Sequence, residues 1–169
     1  MSVNSTTLQA LATFPVQLEA HFNLFAKSRW NWTPQSWEGV PSEPLTASEQ
    51  VCHIRDIEIE GYQVRFQRTL VETEPILASL DTERLAKERQ YANSDPIQAL
   101  AVFREARVKT VDLLSGLGDA QLRRRAIFEG YGSVSLAGLM NYLCSHDQQH
   151  LAGLQWLLGK IAGSEHSNG

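Results

Sequence analysis

The chain has 169 residues, 43% hydrophobic and 20% charged, with a formal net charge of −4 and a pI near 5.7. That length suits one domain with its own core, and the balance is that of a soluble globular protein. It argues against a basic nucleic-acid binder, since the one basic block, Arg123-Arg124-Arg125, reads as a solvated corner, and against a membrane protein, since no apolar run approaches the roughly 20 residues of a span. Residues 1–7 carry no basic-then-apolar leader pattern, and Cys52 and Cys144 make no disulfide framework, so the expected setting is reducing and cytoplasmic.

Residues 1–7 read as a loose end, with a short helical turn over 8–12. The first long helix is expected to start at Thr13, with Pro15 in its first turn, where a missing N–H costs little. Phe14, Leu18, Phe22 and Phe25 recur every three or four residues and form one apolar face. His21 lies beside that stripe, either as a boundary histidine or as a pocket residue. Residues 30–44 then combine Trp30, Trp32 and Trp37 with three prolines and a glycine, which break any helix. Three indoles are too much apolar surface to leave in water. Either they plug one end of the fold, or one of them, with Trp37 the candidate, walls a ligand pocket or a subunit contact.

Thr46-Ala47-Ser48-Glu49 is a capping box and opens a helix that runs to about Thr69 or Val71. At regular helical spacing Gln50, His53, Ile57, Glu60 or Gly61, and Val64 share one inward stripe. Asp56 and Glu60 lie near that face, while Arg55, Arg65 and Arg68 point to solvent. Gly61 costs about 1 kcal/mol against alanine in mid-helix, which marks a close packing approach. Residues 72–94 are the least legible; Glu74-Pro75 ends the helix and 82–90 carry a short one. Asp95-Pro96 caps the next helix, with Ile97, Leu100, Phe103, Arg107, Val111 and Leu114 at helical spacing up to Gly116 or Gly118. One further turn over 119–123 precedes a surface excursion around Gly130-Tyr131-Gly132-Ser133. Ser135 caps the last helix, whose buried side carries Leu136, Leu139, Leu143, His146, His150, Leu154 and Leu157 and which ends at Gly159-Lys160. Residues 161–169, with His166, read as a frayed end. The expected fold is one all-α domain, a bundle of four long helices with no strand.

The chemistry concentrates in Ser145-His146-Asp147-Gln148-Gln149-His150. Residues four apart on a helix lie one above the other, so His146 and His150 can reach one ion. Uncharged imidazoles on a leucine-rich face need partners, and a shared metal satisfies both at once. His53 is the other histidine on the inward face of a well-capped helix and is the expected third ligand. H-E-x-x-H is absent, because Asp147 follows His146. Structural zinc sites fill four positions with protein groups, so three ligands read as an open, catalytic set. Imidazole suits Zn, Ni or Fe. Glu60 and Asp56 are the candidates to orient the ligands, and Asp147 ranks behind them, rotated about 100° from His146. The cysteines face away and read as small buried hydrophobes.

The stretch Leu45-Thr46-Ala47-Ser48-Glu49-Gln50-Val51-Cys52-His53-Ile54-Arg55-Asp56, taken with Ser145-His146-Asp147-Gln148-Gln149-His150-Leu151, resembles the DinB/YfiT-like superfamily of metalloenzymes over nearly the whole chain in helix order. That resemblance implies a four-helix bundle in up-down-down-up order, a divalent transition metal on His53, His146 and His150, and a homodimer. It also implies a small-molecule substrate, with a low-molecular-weight thiol as co-substrate in some relatives. One position departs: many members carry glutamine three residues after the last histidine, and here that residue is Gly153, with Gln155 on another face. Three functions fit: a metal-dependent thiol S-transferase acting on electrophiles, a metal-dependent hydrolase, or a non-enzymatic metal- or ligand-binding stress protein.

Overall fold

The computed structural model describes residues 5–165, so the reading of residues 1–4 and of His166 as loose ends falls outside the described residues. Four long rods carry the fold: α1 (Ser5–Phe22), a continuous rod made of α2 (Ala47–Asp56), a π-helical segment (Ile57–Tyr62) and α3 (Gln63–Val71), then α5 (Pro96–Ser115) and α7 (Leu136–Glu165). Two short helices, α4 (Thr82–Glu88) and α6 (Asp119–Leu122), sit in the connections. Both α1 and α2 pack between α5 and α7, so α1 and α2 stand diagonally across the bundle. One core gathers Phe14, Leu18, Phe22, Val51, Ile54, Phe103 and Leu157, and a second, at the other end, gathers Phe66, Leu114, Phe128, Leu136 and Leu143. No helix among the described residues is long and apolar enough to cross a membrane.

The four-helix bundle is as expected; several details are not. Helix α1 starts eight residues before Thr13 and runs through Pro15. Proline lacks the N–H that would bond the carbonyl four residues back. That carbonyl belongs to Leu11, and Arg107 Nη1 donates to it at 3.1 Å. The interruption is thus satisfied from a different helix. At the other end, α7 continues past Gly159-Lys160 to Glu165.

Strands also occur where none was expected. β1 (Ile76–Leu77) pairs parallel to β2 (Arg125–Phe128), which pairs antiparallel to β3 (Gly132–Ser135). The β2–β3 turn uses Gly130 and Gly132 at positive φ (83° and 78°), which glycine adopts without strain. Ala126, Phe128 and Val134 point inward from this small sheet and cap one end of the core. The basic triplet is only partly a solvated corner, since Arg124 donates to the carbonyls of Thr69 and Glu72, both at 2.6 Å.

The π-helical segment changes the most. It inserts one residue into the turn after Ile57, so every later side chain is rotated from its regular helical place. Glu58, Tyr62, Arg65, Phe66 and Thr69 are buried, whereas Val64 is 46% exposed. The expected inward stripe through Glu60 and Val64 is therefore replaced by one through Glu58, Tyr62 and Arg65. Gly61 was expected to mark close backbone packing; what a Cβ there would meet instead is side chain, Arg65 Nη1 at 3.0 Å and Leu80 Cδ1 at 3.5 Å.

The tryptophans pack. Trp30 lies 5.3 Å from Phe22, and Trp37 stacks on Trp156 at 6.0 Å with 16° between the rings. Their partners belong to the core at the α1–α7 end, which they cover as a plug.

Candidate metal centre

His53 sits in the last turn of α2, just before the helix widens, and faces two successive turns of α7. The ring centroids are 4.5 Å apart for His146–His150, 4.6 Å for His53–His150 and 5.2 Å for His53–His146. One ring nitrogen from each residue lies within 4.8 Å of the other two. His53 and His150 are buried, and His146 is half-buried.

The donor set fits a divalent transition metal on three counts. First, three imidazole nitrogens bound to one ion at about 2.1 Å stand roughly 3.3 Å apart in a tetrahedral arrangement. His53 Nε2 and His146 Nε2 are 3.1 Å apart, so small side-chain rotations suffice. Second, the tautomer of His150 is fixed. The amide of Gln50 donates to the Leu45 carbonyl at 3.3 Å, which turns its Oε1 toward His150, and His150 Nδ1 donates to that oxygen at 3.1 Å. In the neutral ring the lone pair is therefore on Nε2, buried and without an aligned hydrogen bond. Such a group costs about 1–3 kcal/mol unless something binds it. Third, burial keeps the His53 and His146 rings neutral. Burial, the largest cause for each, pushes His53 down to about 3 and His146 well below its ordinary value. Neutral imidazole is the form that binds metal.

A carboxylate absent from the sequence expectations reaches two of the three histidines, His150 and His53. Glu43, on the loop before α2, puts Oε2 3.1 Å from His150 Nε2 and Oε1 3.8 Å from His53 Nε2. The contact with His150 is an ionic approach rather than an aligned hydrogen bond. His150 holds the Glu43 carboxyl down to about 2 against the opposing effect of burial.

Beneath the histidines lies a buried ionic network. Arg107 of α5 donates through both terminal nitrogens to Asp147 (2.7 and 2.9 Å) and through Nε and Nη2 to Glu58 (3.1 and 2.9 Å). Thr110 adds a 2.5 Å bond to Glu58. The guanidinium also lies over the rings of Phe103 and Phe14, at 5.0 and 5.5 Å. This network ties α5 to the residue beside His146 and to the π-helical segment beside His53.

The pocket candidates lie elsewhere. Glu60 is exposed and pairs with Arg89, because the π-helical turn carries it out of the expected face. Asp56 is buried but is held by Arg55, Arg89 and the Tyr91 hydroxyl, at 2.6–2.7 Å. His21 bonds the Gln17 carbonyl at 2.9 Å and Gln155 at 3.1 Å. Trp37 is engaged with Trp156. Cys52 is fully buried, and Cys144 approaches the Thr7 carbonyl at 3.7 Å, so neither joins the cluster.

Gly153 explains how Gln50 gains its place. A Cβ at residue 153 would lie 2.7 Å from Gln50 Oε1 and closer still to Ser42 Oγ. The missing side chain on α7 is thus matched by a glutamine arriving from α2. Gly153→Ala is expected to displace Gln50, lower stability by about 1–3 kcal/mol, and weaken metal binding about 10- to 100-fold by freeing the His150 ring. Thermal melting with and without metal, beside chelator competition, reads both. Wild-type values on both would mean that the close contact constrains nothing.

Comparison with known proteins bears on the fold and the family. A model of the DinB superfamily matches residues 10–154. No curated protein matches. Among solved structures the chain superposes with a TM-score of 0.81 on one described as "YfiT from Bacillus subtilis is a probable metal-dependent hydrolase with an unusual four-helix bundle topology", 22% identical, covering 93% of this chain and 86% of that one. At that identity the likeness speaks for the fold.

Proposed function

Because this chain belongs to the DinB superfamily over residues 10–154, we propose that it is a divalent-metal-dependent enzyme built on His53, His146 and His150, and that it transfers a low-molecular-weight thiol to an electrophilic small molecule. The observation that carries the metal reading is the buried Nε2 of His150, its lone pair fixed inward by Gln50. A bound divalent ion supplies Lewis acidity, which lowers the pKa of a thiol or water that it holds. Around it, Gln50 holds one ring in its ligand tautomer. Arg107 anchors Asp147 and so the turn of α7 that carries His146. In the transfer itself the thiol gives up its proton, its sulfur forms a bond to the electrophilic carbon, and the leaving group departs with the bonding pair.

Hydrolysis of an ester or amide is the second reading, favoured by the description of the Bacillus subtilis protein. The two separate in one experiment. Metal-loaded protein is assayed on electrophiles with and without a panel of thiols, and on ester and amide substrates without thiol, beside a His53→Ala control. Thiol-dependent turnover above the control is the expected result. Turnover on esters or amides with no thiol present would replace the first reading with the second. No turnover on either panel, with metal tightly held, would leave a metal- or ligand-binding protein rather than an enzyme.

A further inference from the structure

The Glu43 carboxylate has a peculiar surrounding. No lysine or arginine pairs with it among the described residues; the groups that face it are His150 and His53. When His150 is neutral, as a metal ligand must be, the nearer contact joins two lone-pair-bearing atoms. His150 donates from Nδ1 to Gln50, which leaves Nε2 as an acceptor, and a carboxylate oxygen is an acceptor too. Two acceptors 3.1 Å apart repel unless a cation lies between or beside them. The cation that the three histidines are suited to hold meets that need.

The backbone carrying Glu43 is braced for the role. The Leu45 N–H donates to the Glu43 carbonyl at 2.8 Å, and the Ser42 hydroxyl donates to the same oxygen at 3.1 Å. Ser42 in turn occupies the space over Gly153. Three residues on, Thr46 begins α2 with a complete capping box, its N–H bonded to Glu49 at 2.8 Å. The glutamate is therefore fixed on both sides, in the loop that leads into the helix supplying His53 and against the helix that supplies His150.

We infer that Glu43 is a fourth protein ligand of the metal centre, an oxygen donor delivered by the tryptophan-rich loop, so that the site is three histidines and one carboxylate rather than three histidines alone. This inference rests on the metal-centre reading above. A mixed nitrogen and oxygen set suits an ion that takes more than four ligands, such as Ni or Fe, with further positions left for a substrate. Glu43 also lines a cleft of about 640 Å³ shared with Leu45, Glu49, Ala86, Lys87 and Tyr91.

The test uses the full chain as wild type, Glu43→Gln, Glu43→Ala and His150→Ala. Affinities for Co, Ni and Zn are measured by chelator competition, with the visible spectrum of the Co-loaded protein and melting of the metal-free protein. The expected result is an affinity at least about tenfold weaker in both Glu43 variants, a changed Co spectrum, and metal-free melting that is unchanged or higher because the facing lone pairs are gone. Wild-type affinity and spectrum in Glu43→Gln, with His150→Ala unable to bind, would overturn the carboxylate ligand and leave the histidine centre standing. Lower metal-free melting with an unchanged Co spectrum would also overturn it, since Glu43 would then be an ion-pair partner of a protonated His150. A wild type that binds none of the three ions would remove both readings together.

Discussion

His150→Ala is expected to abolish stoichiometric divalent metal. Protein purified without a polyhistidine tag should carry about one Zn, Ni or Fe per chain, and the variant none. The effect is large because His150 contributes more than one donor out of three. It is fully buried, its ring stands closest to the other two, and it is the ring whose tautomer is held by Gln50. Its removal also leaves Gln50 and Glu43 facing a void. The thermal readout is independent of activity. A ligand at a thousand times its dissociation constant stabilises the folded state by about 4 kcal/mol. For a domain of this size that raises Tm by on the order of 10 °C. Wild type should show that rise on adding metal, and His150→Ala should show none while keeping its helical circular dichroism. If wild type contains no metal and gains no stability from any ion offered, the three imidazoles are core polar residues and the enzyme readings fall with them.

Arg107→Met is expected to cost about 3–5 kcal/mol of stability, the usual consequence of removing one partner of a buried ion pair. Three groups would be stranded: the Glu58 and Asp147 carboxylates and the Leu11 carbonyl freed by Pro15. The corresponding drop in Tm is roughly 6–20 °C. Methionine keeps most of the volume between Phe14 and Phe103, so the loss reports charge rather than a cavity. A triple variant, Glu58→Leu with Arg107→Met and Asp147→Leu, should recover much of the stability, because replacing an entire buried network is far milder than halving it. Urea titrations of the single and triple variants decide the matter. A single variant within about 1 kcal/mol of wild type would mean that the carboxylates find protons or water, and the ionic account would be wrong.

The histidine pair was legible because α7 is a regular helix, where i and i+4 share a face and the leucine stripe marks which face is buried. His53 was legible because the capping box sets the phase of α2 from its first residue, and nothing disturbs that phase before residue 56. Beyond Ile57 the same arithmetic fails, since the widened turn has no signature in residue types. Glu60 was therefore chosen where Glu58 is the buried carboxylate. Arg107 stood on the apolar stripe of α5 in plain view, but its meaning depends on two carboxylates and a proline distant in sequence. Glu43 lies in a loop, where no period constrains direction, and only folding brings it to the histidines. The two-residue strand β1 pairs across 51 positions with β2, and so short a strand carries no alternation to detect.

The widened turn at Ile57–Tyr62 acts as a phase shifter within one rod. The half before it is aligned to the histidines of α7, and the half after it to the sheet and the far core. A single added residue lets one helix serve two environments whose ideal orientations differ by about 100°. Relatives that lack the widened turn will align with this chain only through a one-residue gap near position 58. A comparison made without that gap will equate Arg65 with a solvent residue and will pair the wrong acidic side chain with Arg107.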